Sequence, residues 1–141
     1  MTLYYSVLII GGGLIGSSMA RAIKAKSLAE RIYITDASED ACGVLRTLDV
    51  ADGVDTDFAS FIGTADLVVL ATPPGVMKNI GPAVVEAMKT GATLTDVGSI
   101  KNDIVTHFQT FMRSDLHFIP GHPIAGTEHS GPTSGFAELF D

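Results

Sequence analysis

The sequence predicts an α/β fold, a doubly wound and mostly parallel sheet with helices on both faces, on three observations. Short apolar runs such as Val7-Leu8-Ile9-Ile10 and Leu67-Val68-Val69-Leu70-Ala71 alternate with longer stretches of helical periodicity. The first run passes through a glycine turn directly into a helical pattern, the strand-to-helix exit of a βαβ unit. Each segment between runs is long enough for a helical crossover, which parallel strands require and which is right-handed almost without exception.

Taken in order, the first strand covers 6–10 and turns through Gly11-Gly12-Gly13-Leu14-Ile15-Gly16 into a helix over 15–26, where Ile15, Met19 and Ile23 recur every four residues. A second strand over 31–35 ends before Asp36. The next helix, 39–48, has Ser38 as its N-cap and Glu39 and Asp40 in its first turn, where carboxylates favour the helix dipole. A weaker strand lies around Val54, and a stronger one over 67–71. The third helix, 76–89, contains Pro82, which lacks an N–H and is expected to kink or split it, with Gly91 as its stop. A strand over 93–96, a helix over 100–112 and a strand over 117–120 complete the alternation.

The glycine segment carries chemistry as well as a turn. Gly11 permits the sharp reversal, Gly13 lets a ligand approach without a Cβ in the way, and Gly16 lets the helix lie close on the strand. With the N–H groups of Leu14 and Ile15 opening the helix, the segment can hold a pyrophosphate at the positive end of the dipole, the arrangement of a Rossmann-type dinucleotide site. Asp36, 20 residues beyond Gly16, stands where a carboxylate accepts hydrogen bonds from adenosine ribose hydroxyls. The residues after it are Ala37, Ser38, Glu39 and Asp40, with no Arg or Lys to meet a 2′-phosphate, so NAD is expected over NADP. A purely structural Asp36, helping Ser38 to start the helix, is the alternative.

Composition narrows the function classes. The 141 residues fit one domain, read as 1–141. Nine Lys plus Arg against 16 Asp plus Glu give a net charge of −7, and no basic run suggests nucleic acid as a partner. No stretch is long enough to span a bilayer and the N-terminus lacks a basic signal region, so a cytoplasmic location is expected. The lone Cys42 excludes an internal disulfide and, beside Ala41, Leu45 and Leu48, reads as a small buried apolar residue. The four histidines have no metal-ligand spacing, and no metal is expected. An apolar content of 46% is high for a domain of this size and suggests surface that packs on another domain or subunit.

In an open parallel sheet, ligands sit outside the carboxyl ends of the strands. Besides the glycine turn, three segments reach that edge: Thr72-Pro73-Pro74, Asp96-Val97-Gly98-Ser99-Ile100-Lys101, and Gly121-His122-Pro123-Ile124-Ala125-Gly126, which continues as Thr127-Glu128-His129-Ser130-Gly131. With these motifs the sequence resembles, over nearly its whole length, the prephenate and arogenate (cyclohexadienyl) dehydrogenases of tyrosine biosynthesis. The resemblance implies oxidation of the ring C4 alcohol of prephenate or arogenate by hydride transfer to NAD, with loss of the ring carboxylate as carbon dioxide.

Residue by residue, the resemblance implies that His122 is the catalytic base and that Ser99 contacts the histidine or the substrate hydroxyl. From the residues alone Ser99 serves equally as N-cap of the helix that follows it, and His122 as a loop histidine. Thr72 and Pro73 are expected to line the nicotinamide ribose, or simply to end a strand. Lys101, a cation in a first helical turn, calls for an anion: either substrate or Asp96. His129 stands where many family members carry Lys, and is a substrate contact or an exposed loop histidine. His107 and His117 read as structural.

Family members continue into a helical domain that forms a homodimer and supplies basic residues for the substrate. This sequence is expected to lack that domain and to stop before the last strand of the first one. By itself it is expected to bind NAD weakly and not to turn over prephenate at a normal rate. Two other readings fit the sheet plan: an NAD(P)-dependent hydroxyacid or imino-acid oxidoreductase, and a non-catalytic NAD-binding domain.

Overall fold

The computed structural model describes residues 2–98 and 101–121, with Lys101 placed by its backbone alone. Strand β1 (Tyr4–Ile10) leads to α1 (Leu14–Ala25), β2 (Ala29–Thr35), α2 (Glu39–Leu48) and β3 (Gly53–Asp55). Two short 3₁₀ turns, Phe58–Ser60 and Ile62–Thr64, precede β4 (Leu67–Leu70), followed by α3 (Pro74–Ala87), β5 (Thr93–Asp96), α4 (Lys101–Gln109) and β6 (His117–Pro120). The weak strand around Val54 is therefore real, and each expected strand and helix is present.

The strands form one parallel sheet in the order β3-β2-β1-β4-β5-β6. Its register matters most. Thr35 pairs with Asp55 and Ile10, Ile10 with Leu70, Leu70 with Asp96, and Asp96 with Pro120, so all six strands end on one line. Strand order reverses between β1 and β4, and a crevice opens there because the following segments leave in opposite directions.

Side chains of the central strands alternate between two cores. Val7, Ile9, Ile32, Ile34 and Val69 face Ala20 of α1 and Leu45 of α2. Leu8, Ile10, Val68, Leu70 and Leu94 face Met77, Val84 and Val85 of α3 and Ile104 and Phe108 of α4. Each such side chain, removed from water, contributes about 1.5–3 kcal/mol before conformational entropy is subtracted. Among the described residues no helix is long and apolar enough to cross a membrane.

Helix α1 approaches the sheet differently from the expectation built on Ile15, Met19 and Ile23. Its buried residues are Gly16, Ser17, Ser18 and Ala20, while Met19 and Ile23 pack from the flank. Small residues win the contact face because the glycine turn brings the helix too close for larger ones.

The expected break at Pro82 is not seen: α3 runs through it as one helix. Proline cannot donate to the carbonyl four residues back, that of Lys78. His107 of α4 supplies the missing donor, its Nε2 lying 3.1 Å from that oxygen. The expectation of a structural His107 thus acquires a reason, while His117 lies exposed at the start of β6.

Gly91 is also not the stop of α3, which ends at Ala87. The Arg113 guanidinium caps that end, donating to the carbonyls of Val85 and Met88 at 2.8 Å each. Gly91 lies in the following turn at φ +86°. Helix α4 ends at Gln109, three residues short of the expectation, because the backbone tightens to Thr110 N–H donating to His107 and Phe111 N–H to Phe108.

Candidate functional site

A cavity of about 480 Å³ occupies the crevice between β1 and β4. Gly11 and Gly13 form its floor, Asp36 and Ala37 one side, and Thr72 and Pro73 the other. Thr56, Asp57 and Phe58 after β3, with Val76 and Ile80 of α3, close its apolar end. That size and shape suit a flat apolar group at one end and a polar chain running over the glycines.

The glycine turn is built by contacts that only glycine allows. Gly11 has φ +110°, and a Cβ there would lie 2.6 Å from the carbonyl oxygen of Ala71. At Gly16 a Cβ would lie 1.9 Å from the Gly11 carbonyl oxygen. At Gly13, by contrast, it would meet nothing within 4 Å among the described residues, and Gly13 lines the cavity. Gly13 is the N-cap of α1, with no side-chain cap and no acid in the first turn. The first amides of the helix have no partner within it, so they remain disposed toward an anion.

Asp36 is tied in two directions. Its Oδ2 accepts from the Gly12 amide and its Oδ1 from the Ser38 amide, both at 2.9 Å. Ser38 in turn caps α2, accepting from the Ala41 amide at 3.2 Å. The expected helix-starting role of Asp36 is therefore present, and the same bonds hold its carboxylate at the cavity wall. Gly12, to which the motif assigned no task, supplies one of them. A Cβ at Gly12 would also lie 2.5 Å from Leu45 Cδ1, so α2 can pack here only against glycine.

Cys42 is fully buried behind this wall and donates weakly from Sγ to the Asp36 carbonyl at 3.3 Å. Burial pushes its thiol pKa up, consistent with an inert packing residue. At the other rim Asp57 caps the first 3₁₀ turn through Ala59 N–H, and the Ser60 hydroxyl holds the Asp55 carboxyl below its ordinary range. The segment 56–58 was missed in the sequence because β3 is only three residues long, and its exit gives no motif.

On the opposite wall Thr72 has a buried hydroxyl with no hydrogen-bond partner among the described residues, and Pro73 is the N-cap of α3. Further along the same edge Asp96, 1% exposed, accepts from Gly98 N–H at 2.9 Å and from Gly121 N–H at 3.3 Å. Gly98 and Gly121 are followed directly in the chain by Ser99 and His122. Ser99, His122 and His129 lie outside the described residues, as does the side chain of Lys101 and with it the expected Asp96–Lys101 pair. Among the described residues no group of three His, Cys, Asp or Glu could hold a metal ion.

The family model for the nucleotide-binding domain of prephenate dehydrogenase matches residues 19–141. A cyclohexadienyl dehydrogenase of Zymomonas mobilis is 39% identical over 140 residues, 99% of this chain and 47% of its own length. A prephenate dehydrogenase of Bacillus subtilis is 31% identical over 96% of this chain and 37% of its own. The crystal structure of prephenate dehydrogenase from Aquifex aeolicus, in complex with hydroxyphenyl propionate and NAD+, superposes with a TM-score of 0.88 at 28% identity, covering 97% of this chain and 48% of that one. The chain thus spans less than half the length of these relatives. With more than half of its residues matched, and a six-stranded parallel sheet carrying the glycine turn and Asp36 at its switch point, the chain belongs to the prephenate dehydrogenase nucleotide-binding domain family.

Proposed function

We propose that this chain is the NAD-binding part of an enzyme that oxidatively decarboxylates prephenate or arogenate. The observation that carries the reading is the carboxyl edge of the sheet. The open floor at Gly13, the uncapped start of α1 and the Asp36 carboxylate line one crevice, and the exits of β5 and β6 lie on the same edge. The cavity fits the group: the first turn of α1, from Leu14 to Gly16, takes the pyrophosphate, and Asp36 the ribose hydroxyls. Thr56 to Phe58, Val76 and Ile80 enclose the adenine.

Asp36 and Asp57 face the cavity together, so a 2′-phosphate would enter a field of like charge, and NAD is favoured over NADP. Thr72 and Pro73 stand toward the nicotinamide end, where the Thr72 hydroxyl, without a partner among the described residues, offers a hydrogen bond.

NAD, when bound, supplies the hydride acceptor. His122 takes the proton of the substrate C4 hydroxyl as the C4 hydrogen leaves with its electron pair, and Ser99 orients that hydroxyl or the imidazole. The ring carboxylate departs as carbon dioxide and the ring becomes aromatic. Base catalysis of this kind contributes about 10²–10⁴-fold. Lys101 and His129 are candidates for the substrate carboxylates.

The test is a spectrophotometric comparison of prephenate and arogenate with NAD and NADP, using the full-length protein and its His122→Ala variant. The expected result is NADH formation with one or both substrates, reduced at least about 100-fold in the variant with NAD affinity unchanged. Tight NAD binding without oxidation of either substrate would instead identify a non-catalytic nucleotide domain.

A further inference from the structure

We propose that Asp96 is a positioning residue, whose single carboxylate holds the exits of β5 and β6 together at Gly98 and Gly121, the residues that directly precede Ser99 and His122 in the chain. The inference rests on the functional reading above. It starts from an asymmetry in the sheet. Among the described residues β6 is an edge strand of four residues, mostly exposed, with Ile119 60% accessible, so the packing they provide does little to fix its end. The last ladder pair, Asp96 with Pro120, lies one residue before the chain leaves the sheet.

Beyond that pair the carboxylate takes over. Oδ1 reaches across to Gly121 N–H, while Oδ2 turns back to Gly98 N–H in its own strand's exit. The two backbones are pressed together here, since a Cβ on Gly121 would lie 2.8 Å from the Asp96 carbonyl oxygen and 3.3 Å from Thr95 Oγ1. A buried carboxylate is unfavourable unless its oxygens are satisfied, and these bonds join the two segments that carry the proposed base and its hydroxyl partner. A displacement of about 1 Å between reacting groups can cost on the order of 100-fold in rate, so a clamp at this junction acts on turnover rather than on nucleotide binding.

Two variants of the full-length protein test the clamp. Asp96→Asn keeps the shape and one acceptor oxygen but presents an NH₂ group where the second oxygen was. Gly121→Ala leaves the carboxylate intact and forces the exits apart. Each is expected to lower kcat about 10- to 100-fold with the NAD dissociation constant and the KM for NAD changed less than about twofold. Amide exchange at Gly98 and Gly121, slow in the wild-type protein, should become fast at one of the two in Asp96→Asn, which keeps a single acceptor oxygen.

Unchanged kcat in either folded variant, or a parallel loss of NAD affinity and kcat, would overturn the proposal. If Asp96→Asn does not fold, Gly121→Ala decides. A wild-type protein that oxidises neither prephenate nor arogenate refutes the functional reading instead, a result distinct from any change on substitution.

Discussion

The junction between Pro82 and His107 makes a quantitative prediction about how α3 is kept whole. Replacing His107 by Phe preserves a ring that meets Phe111 edge-on at 5.3 Å, and removes only the donor to the Lys78 carbonyl. Leaving a buried carbonyl without a donor costs about 1–3 kcal/mol, and this one is only partly buried, so about 1–2 kcal/mol is expected. For a domain of this size that lowers the thermal midpoint by roughly 3–8 °C.

Pro82 is exposed, so Pro82→Ala restores a backbone N–H to the same carbonyl with little loss of packing. In that background His107→Phe should cost less than about 0.5 kcal/mol, a coupling of about 1 kcal/mol between two residues 25 positions apart. Urea and thermal melts of the four proteins measure it. Equal costs of His107→Phe in both backgrounds would show that the ring stabilises by packing alone. The consequence reaches the cavity, because Val76 and Ile80 stand on the turns of α3 just before the proline.

Three further perturbations address the site and the fold. Gly16→Ala places a Cβ 1.9 Å from the Gly11 oxygen, so α1 must retreat by about 1.4 Å to reach an ordinary contact, which calorimetric titration should register as loss of most NAD affinity and melting as about 1–3 kcal/mol of overpacking. Asp36→Ala should weaken NAD binding about 10- to 100-fold while raising NADP affinity relative to NAD; an unchanged ratio would assign Asp36 to structure alone.

For pH, Lys89 holds the Asp66 carboxyl below its ordinary range, helped by the Tyr5 and Ser6 amides, and Arg113 with Thr90 does the same for Asp115. A depressed folded value means stability that is complete above the ordinary carboxylate range and is lost as pH falls through it. The melting temperature should therefore be level from pH 7 to about pH 5 and fall below about pH 4. Asp66→Asn should lower the neutral plateau and flatten the acid limb, and an equally steep limb would refute the assignment.

What was legible in the sequence follows from what is local. Strands β5 and β6 and helix α2 fall on the boundaries the sequence predicts, because short strand-like runs and the Ser38 cap are encoded in adjacent residues. Pro82 misled for the same reason: its local effect on the helix is real, but the compensating donor comes from His107, on another helix. Gly12 was legible only as a motif member, and Asp96 as a motif member and an ion partner for Lys101, not as the acceptor for two strand-exit amides. Gly12 faces both Asp36 and Leu45, and Asp96 reaches Gly121 as well as Gly98, contacts that exist only once the sheet has formed.

The common register of the sheet explains why the family was nevertheless more legible than these contacts. Because all six strands end on one line, the residue that follows each strand in the sequence becomes a neighbour of the residues that follow the others. Gly11, Asp36, Thr56 and Ala71 all meet at one cavity for this reason, and Val97 and Gly121 continue the same edge. The chain needs no long-range signal to assemble such a site, only a motif at each strand exit and a parallel ladder to align them. Local contacts can then be misjudged without moving the site, whereas a slip of one residue in β5 or β6 would carry Asp96 away from the exits it joins and turn every side chain of that strand to the opposite core.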